Sequence, residues 1–524
     1  MKDKIDKFIS KLSENGNIHR LYKLFKTEYK FYFYDVGTGK IFEVSKDEYV
    51  VLDDLFNNNK LTDDTFQILS ENEVIKIMDR IIELYYREKI LQAPILEKFV
   101  GPQFDNLEYA LNNAKTQLNL ELTERCNLRC KYCLYHEGQG GYRTFGKEDM
   151  TFEVAKMGLE QLKKTNNEEV YVSFYGGEPL LKFDLMKKCI EYAEETFPEK
   201  NISYSFTTNA VLITDSMIEF FNKYKEKLYI TFSIDGPQEI HDKNRVTVLG
   251  EGTHNLVIKN LEKIVKEFGK LSEEHILINT VISEPSYKTN EVIQEYFDSL
   301  YWLPKNMTKF CTQVSTADEE VEYLGINGDR EKEMRKKLEK EDNDFAPLIT
   351  WNRNKILNEI NSSSGNISEL SSIMKDYMDK ELTLIHKRRL SENPMSYYYL
   401  NGCCIPGARR IYVTTKGDYN ICEKMGPAPK IGNIYDGLNV DVIKEKYIDE
   451  FSKKIMPYCG DCWAIHLCPL CYVNAFDEEG AKPEYRHIFC DAHRVLLEES
   501  LIIYHEIYEK HPEQLEYLNN IDIS

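Results

Sequence analysis

The stretch Cys126-Asn127-Leu128-Arg129-Cys130-Lys131-Tyr132-Cys133 follows closely on an alternating apolar run, Leu118 to Leu122. Three cysteines spaced C-x3-C-x2-C, in a tight loop after a strand, can each give a thiolate to one iron of a cubane cluster. A [4Fe–4S] cluster ordinarily takes four such ligands. Three leave one iron open, and an open iron on a reducing cluster is a place for substrate chemistry. Cysteines at this density also make zinc sites, so the reading depends on what else the chain carries at matching distances.

At 524 residues the chain exceeds one ordinary core and is expected to hold about three units. Hydrophobic content of 42% with 12% aromatic residues is that of a globular protein. The start, MKDKIDKFISKLSENGN, is charged and has no apolar run of signal-peptide length, and no later run is long enough to cross a bilayer. A cytoplasmic protein with no membrane partner is therefore expected. Thirteen cysteines in that compartment point to metal or cluster ligation rather than disulfides. A formal charge of −20 argues against a nucleic-acid partner, which needs basic surface, and mildly favours a basic or Cys-rich peptide; plain solubility is the bland account.

Strand-length runs at Leu118–Leu122, Val170–Tyr175, Ser203–Thr207, Tyr229–Ile234 and Ile276–Ile282, with a sixth near Thr308–Val314, alternate with helical segments such as Thr151–Lys164 and Leu256–Phe268. This predicts an α/β fold, a parallel sheet with crossover helices. Three polar segments sit at strand ends: Gly176-Gly177-Glu178-Pro179, Thr207-Thr208-Asn209, and Ser233-Ile234-Asp235-Gly236 followed by His241 and Arg245. The paired glycines let the backbone approach a ligand closely. Each segment alone is also a good turn, but their order behind C-x3-C-x2-C leaves little room for coincidence.

The set resembles the radical S-adenosylmethionine (radical SAM) superfamily. The resemblance implies a partial (β/α)6 barrel with its site at the C-terminal strand ends. It implies a cluster on Cys126, Cys130 and Cys133 whose open iron is chelated by the amino and carboxylate groups of SAM, which is cleaved to methionine and a 5′-deoxyadenosyl radical. It places Tyr132 against the adenine, Gly176, Gly177, Glu178 and Pro179 at the amino group, and Thr208 and Asn209 as polar contacts. Ser233 and Arg245 match residues at the ribose and carboxylate, with Asp235 in the same cofactor-binding segment. One departure is Tyr175, where some relatives carry glutamine, so that contact is not carried over.

Eight of the thirteen cysteines lie between Gly402 and Cys490. Cys403-Cys404, Gly417-x4-Cys422, Cys459-x2-Cys462-x5-Cys468-x2-Cys471 and Cys490 resemble the SPASM domain, an extension carrying two auxiliary [4Fe–4S] clusters, which makes three clusters in all. Cys468 and Cys471 have two residues between them where the family pattern commonly has three. The resemblance implies an outer cluster on Cys459, Cys462, Cys468 and Cys490, and an inner one on Cys422, Cys471 and one of Cys403 and Cys404. Adjacent side chains diverge in extended backbone, so one member of the pair leaves the inner cluster an open iron for a substrate thiolate; ligation by both, or by Cys311, is the alternative. Glu423, next to Cys422, matches a position where some members keep a catalytic carboxylate for proton transfer. Cys189 lies in a helical run and reads as a core thiol.

Residues 1–100 read as a hairpin, Tyr29–Asp35 and Ile41–Val44 around Gly37-Thr38-Gly39, with helices over Lys46–Phe56 and Glu71–Lys89. They resemble the winged-helix peptide-recognition element of ribosomal-peptide-modifying enzymes, in which a leader peptide adds a strand to a sheet edge. Phe31, Tyr32, Phe33 and Tyr34 are the expected leader contacts; the alternative is a domain that merely packs on the barrel. Residues 101–317 are the expected barrel, 318–396 a charged helical insertion or bridge, and 397–524 the SPASM domain with a C-terminal helix. The whole resembles thioether-forming maturases of clostridial Cys-rich ribosomal peptides (ranthipeptides). It implies a precursor peptide as partner, a flavodoxin- or ferredoxin-type electron donor, and a cysteine sulfur-to-carbon crosslink. Carbon–carbon crosslinking, formylglycine formation in a sulfatase, and a non-catalytic zinc adaptor are the alternatives.

Overall fold

The computed structural model describes residues 2–14, 16–98, 105–113, 116–137, 139, 141–283, 287–313, 328–339, 356–358, 372–396 and 404–521. Cys403 and the Ser362–Gly365 break lie outside them. Six parallel strands pair in chain order: β4 (Gln117–Thr123), β5 (Glu169–Gly176), β6 (Asn201–Thr208), β7 (Leu228–Ser233), β8 (Ile276–Ile282) and β9 (Lys309–Gln313). Side chains alternate between the two faces of a strand. In β4, Leu118, Leu120 and Leu122 point to one face and Asn119, Glu121 and Thr123 to the other, and all six are buried. The leucine face carries the crossover helix Phe152–Leu159, where an added Cβ on Gly158 would meet Leu120 Cδ2 at 3.0 Å. The opposite, polar face holds the candidate site.

The sheet does not stop at the six expected strands. β10 (Arg410–Val413) joins the free side of β4 in parallel, with Arg410 opposite Gln117 and Val413 opposite Leu120. Antiparallel β11 (Asp418–Asn420), β12 (Gly432–Asn433) and β13 (Gly437–Leu438) extend it to ten strands among the described residues. The region expected as a separate C-terminal domain thus shares the barrel's sheet.

At the other end of the chain, β1 (Tyr22–Lys26), β2 (Phe31–Asp35) and β3 (Ile41–Val44) form an antiparallel sheet in that order. The helices Lys46–Asn58, Asp63–Ile68 and Glu71–Arg87 follow, the first and last opened by capping boxes: Ser45 with Glu48 and Ser70 with Glu73. The alternation along β2 decides what this sheet does. Phe33 belongs to a core with Val51, Leu55, Phe56, Met78 and Ile81, whereas Tyr32 and Tyr34 belong to the main core of the molecule. On that second face the rings of Tyr32 and Phe25 lie 4.6 Å and 5.0 Å from His505 of the C-terminal helix Cys490–Lys510. That helix is buried on nearly every side, as expected of one enclosed by other elements.

This corrects the expectation for Phe31 to Tyr34. β2 is the central strand, paired on both sides, and Tyr32, Phe33 and Tyr34 are buried. Their backbone cannot accept an added strand, and among the described residues the open edge next to the helices is β3. The hairpin turn instead grips the end of the bridge: Ser391 N donates to Thr38 O at 2.9 Å, Met395 N to Gly37 O at 2.8 Å and Arg388 Nε to Gly39 O at 2.9 Å. Gly39 has φ +71°, and a Cβ there would fall 1.9 Å from Arg389 O, so only glycine fits. In the bridge, the helix Ser372–His386 ends with His386 against Tyr504 Oη (2.9 Å) and Asn519 Oδ1 (3.0 Å).

Candidate active site

The cysteine loop is held from two sides. Arg129 N donates to Val246 O (2.8 Å) and Lys131 N to Asn244 O (3.1 Å), pairing the loop with the segment after Asp235. Gly177 N and Glu178 N donate to Thr123 O and Arg125 O, both at 2.9 Å. A Cβ on Gly176 would meet Thr123 O at 2.3 Å, and one on Gly177 would meet Arg125 O at 2.3 Å. The paired glycines therefore admit the backbone of the cysteine loop itself, a use different from the ligand approach expected of them.

Glu178 is buried, and its carboxylate accepts from Leu180 N (3.1 Å), Thr208 Oγ1 (2.8 Å) and Asn209 N (2.8 Å). Burial outweighs these bonds and raises its pKa to about 7. Pro179 opens the short helical turn behind it. Asn209, so fixed, turns its amide to Asn127 Oδ1 (2.9 Å) and to Cys126 Sγ (3.9 Å), which also receives Leu128 N at 3.4 Å. Asp235 accepts a short hydrogen bond from Tyr132 Oη and another from Val281 N (3.0 Å), and lies 3.0 Å from Arg245 Nε. The guanidinium stands 5.4 Å over the Tyr132 ring and 4.0 Å from Cys130 Sγ. Ser233 is buried at the end of β7.

His241 explains the spacing to Arg245. Its Nδ1 accepts from Asp235 N at 3.4 Å, its Nε2 faces Thr253 Oγ1 at 3.0 Å, and that hydroxyl donates to Arg245 O. Burial and the Arg245 charge push its pKa down to about 3, so the ring is neutral and acts as a pin on the turn.

The other thiols gather in two further groups. Burial first, and then neighbouring thiols, raise the pKa values here: Cys471 acts on Cys422 and Cys404 on Cys471, while Cys468 acts on Cys459, Cys462 and Cys490. Burial pushes Cys126, Cys422 and Cys459 up to about 12, so metal binding at these thiols must expel protons. Among the described residues no three His, Cys, Asp or Glu side chains converge on a single-ion site, a condition that a cubane with a separate iron for each ligand does not impose. The donor chemistry fits clusters: Arg486 donates to Cys468 Sγ at 3.6 Å, and Tyr34 Oη and Trp463 Nε1 are buried polar atoms with no partner among the described residues. Cys189 is a buried helix thiol, as expected. Cys311 lies in β9, at the opposite edge of the sheet from β10 to β13.

Residues 120–282 match the family model of the Radical SAM superfamily. This stretch and its surroundings are similar to the radical SAM cyclopropyl synthase TigE of Paramaledivibacter caminithermalis, at 25% identity over 55% of this chain and 59% of that one. They are also similar to a cysteine-type anaerobic sulfatase-maturating enzyme of Clostridium perfringens, at 29% over 33% of this chain and 45% of that one. The matched stretches span between about a third and three fifths of such relatives. The fold is similar to that of native anSMEcpe with bound AdoMet, with a TM-score of 0.51 at 20% identity, covering 78% of this chain and 100% of that one.

One site residue escaped the sequence reading. Glu121 is fully buried on the polar face of β4 and accepts from Arg143 Nε (2.8 Å), Tyr142 Oη and Thr415 N (3.3 Å), tying the loop after the radical SAM cysteines to the end of β10. A carboxylate among the polar residues that alternate with the leucines of β4 was the available signal. Glu423 was expected as a proton carrier, but its partners were not. It accepts from Arg410 at 3.0 Å through each oxygen and from Asn119 Nδ2 at 2.8 Å, so the expected proton carrier is engaged in an ion pair between β4 and β10.

Proposed function

We propose that this chain is a radical SAM enzyme of the SPASM type that modifies a peptide or protein, and that its product is a cysteine sulfur-to-carbon thioether in a ribosomally made precursor. The observation that carries the reading is the convergence of Cys126, Cys130 and Cys133 with Asn209, Asp235 and Arg245 at one end of the parallel strands, with two further thiol groups beyond them. When bound, SAM and the first cluster supply a deoxyadenosyl radical that abstracts a hydrogen atom. The protein's own groups orient and shield. Arg245 and Asn209 direct N–H groups at the cysteine sulfurs, Asp235 holds Tyr132 and Arg245 together, and Glu178 fixes the turn that carries Asn209.

Thioether formation joins one C–H carbon to one thiol sulfur. One hydrogen leaves as an atom to deoxyadenosine, one as a proton, and one electron must be taken up. The inner thiols Cys404, Cys422 and Cys471 would hold the acceptor for that electron. A leader peptide would pair along β3 over the groove lined by Phe42, Val44, Leu52, Arg80 and Leu84, drawing affinity from main-chain bonds. Formylglycine formation in a sulfatase is the second reading, favoured by the likeness to the sulfatase-maturating enzyme.

The test is anaerobic incubation of the reconstituted protein with SAM, dithionite and the Cys-rich peptide encoded nearest to it, followed by tandem mass spectrometry. Loss of two hydrogens per crosslink, with those thiols no longer alkylatable, is expected. Conversion of a sulfatase cysteine to an aldehyde that reacts with hydrazine, with no crosslinked product, would favour the second reading.

A further inference from the structure

Tyr34 has no exposed surface, and its hydroxyl has no partner among the described residues. An unmade buried hydroxyl bond costs about 1–3 kcal/mol, so a group bound in the working protein is expected to meet it. The register shows where it points. Tyr34 lies directly opposite Lys23 across β1 and β2, which puts both side chains on one face. Lys23 Nζ stands 5.0 Å over the ring of Trp463, the residue after Cys462. Close by, Asn17 Nδ2 donates to Asp461 Oδ2 at 3.3 Å. Cys462 packs against the same hydrophobic core that holds Tyr34, and after burial, which is the main cause, its thiol helps to raise the pKa of the Tyr34 hydroxyl. Of the nearby charged groups, Arg388 is turned to Gly39 O and Ile385 O, and Asp35 to Thr38 and Leu91.

We propose that Tyr34 donates its hydroxyl proton to the Cys462 thiolate, or to an adjoining sulfide, of an iron–sulfur cluster held by Cys459, Cys462, Cys468 and Cys490. The proposal rests on the reading of those four cysteines as one ligand set. It makes Tyr34 a positioning residue: the N-terminal sheet supplies an outer contact to a redox centre whose ligands lie more than four hundred residues later. A hydrogen bond to cluster sulfur favours the reduced, more negative state and raises the reduction potential.

Redox titration of the reconstituted full chain, followed by electron paramagnetic resonance, tests this in Tyr34→Phe. The control is Tyr32→Phe, whose hydroxyl bonds Glu509 at 2.8 Å. The midpoint of the outer cluster should fall in Y34F, with the other clusters unmoved and Y32F unchanged. An exchangeable-proton coupling to that cluster, seen by electron–nuclear double resonance in the unmodified protein and removed by D2O, should be missing in Y34F. An unchanged midpoint and coupling in Y34F with full iron content would overturn the Tyr34 contact alone. Unchanged iron in Cys459→Ala and Cys490→Ala would overturn the ligand set and the contact together.

Discussion

At single residues, burial sets the chemistry more than sequence position does. Glu178 and His241 are both buried in the candidate site, and their pH effects have opposite sign. The folded-state pKa of Glu178 is raised to about 7, so its contribution to stability is full below its ordinary pKa near 4.5 and is lost as pH rises to about 7. His241 is lowered to about 3, so its contribution is full above about 6.5 and is lost as pH falls toward 3. Chemical unfolding across pH should show the first slope removed in Glu178→Gln and the second in His241→Asn. Asp35 accepts from Thr38 N and Oγ1 and from Leu91 N; Asp35→Asn should cost about 1–3 kcal/mol in denaturant unfolding. Replacing Cys126, Cys130 and Cys133 together with alanine should abolish SAM cleavage, read as deoxyadenosine, while auxiliary iron remains; retained cleavage would refute the assignment of the radical-generating site.

At the scale of elements, the three-stranded sheet has one face in each of two cores and one edge, β3, open beside the helix Glu71–Arg87. Two expectations separate these parts. Phe33→Ala removes a fully packed ring and should lower stability by about 3–5 kcal/mol, read by thermal melting. Phe42→Ala with Leu84→Ala, in the groove under β3, should weaken leader binding at least tenfold, about 1.4 kcal/mol, measured by fluorescence anisotropy, and spare peptide-independent SAM cleavage. Unchanged affinity would move the peptide site elsewhere.

Over the whole molecule, the parallel pairing of β10 with β4 and the buried helix Cys490–Lys510 bind the C-terminal region to both the barrel and the N-terminal sheet. Lys23 lies 2.9 Å from Glu498 of that helix and 3.5 Å from Glu331, which also meets Arg494 at 2.5 Å. The chain should melt as one cooperative unit. Truncation at residue 396 would uncover the edge of β4 and the inner face of the N-terminal sheet, and should give aggregated protein in size-exclusion chromatography rather than a free barrel.

The local alphabet of this protein is legible in its sequence. The strands of the barrel, the Cys126–Cys133 loop and the three polar strand ends follow from hydrophobic period, turn residues and spacing, which are interactions between near neighbours. The thiol groups were separable in sequence only through resemblance. What tertiary structure alone decided depends on pairings between distant segments: β10 beside β4, Tyr34 facing the main core, Glu423 paired with Arg410, and Gly177 pressed on Arg125. A strand such as Phe31–Asp35 carries the same alternation whether it lies at an edge or in the centre. Only the hydrogen bonds to its neighbours, contributed by residues elsewhere in the chain, determine which.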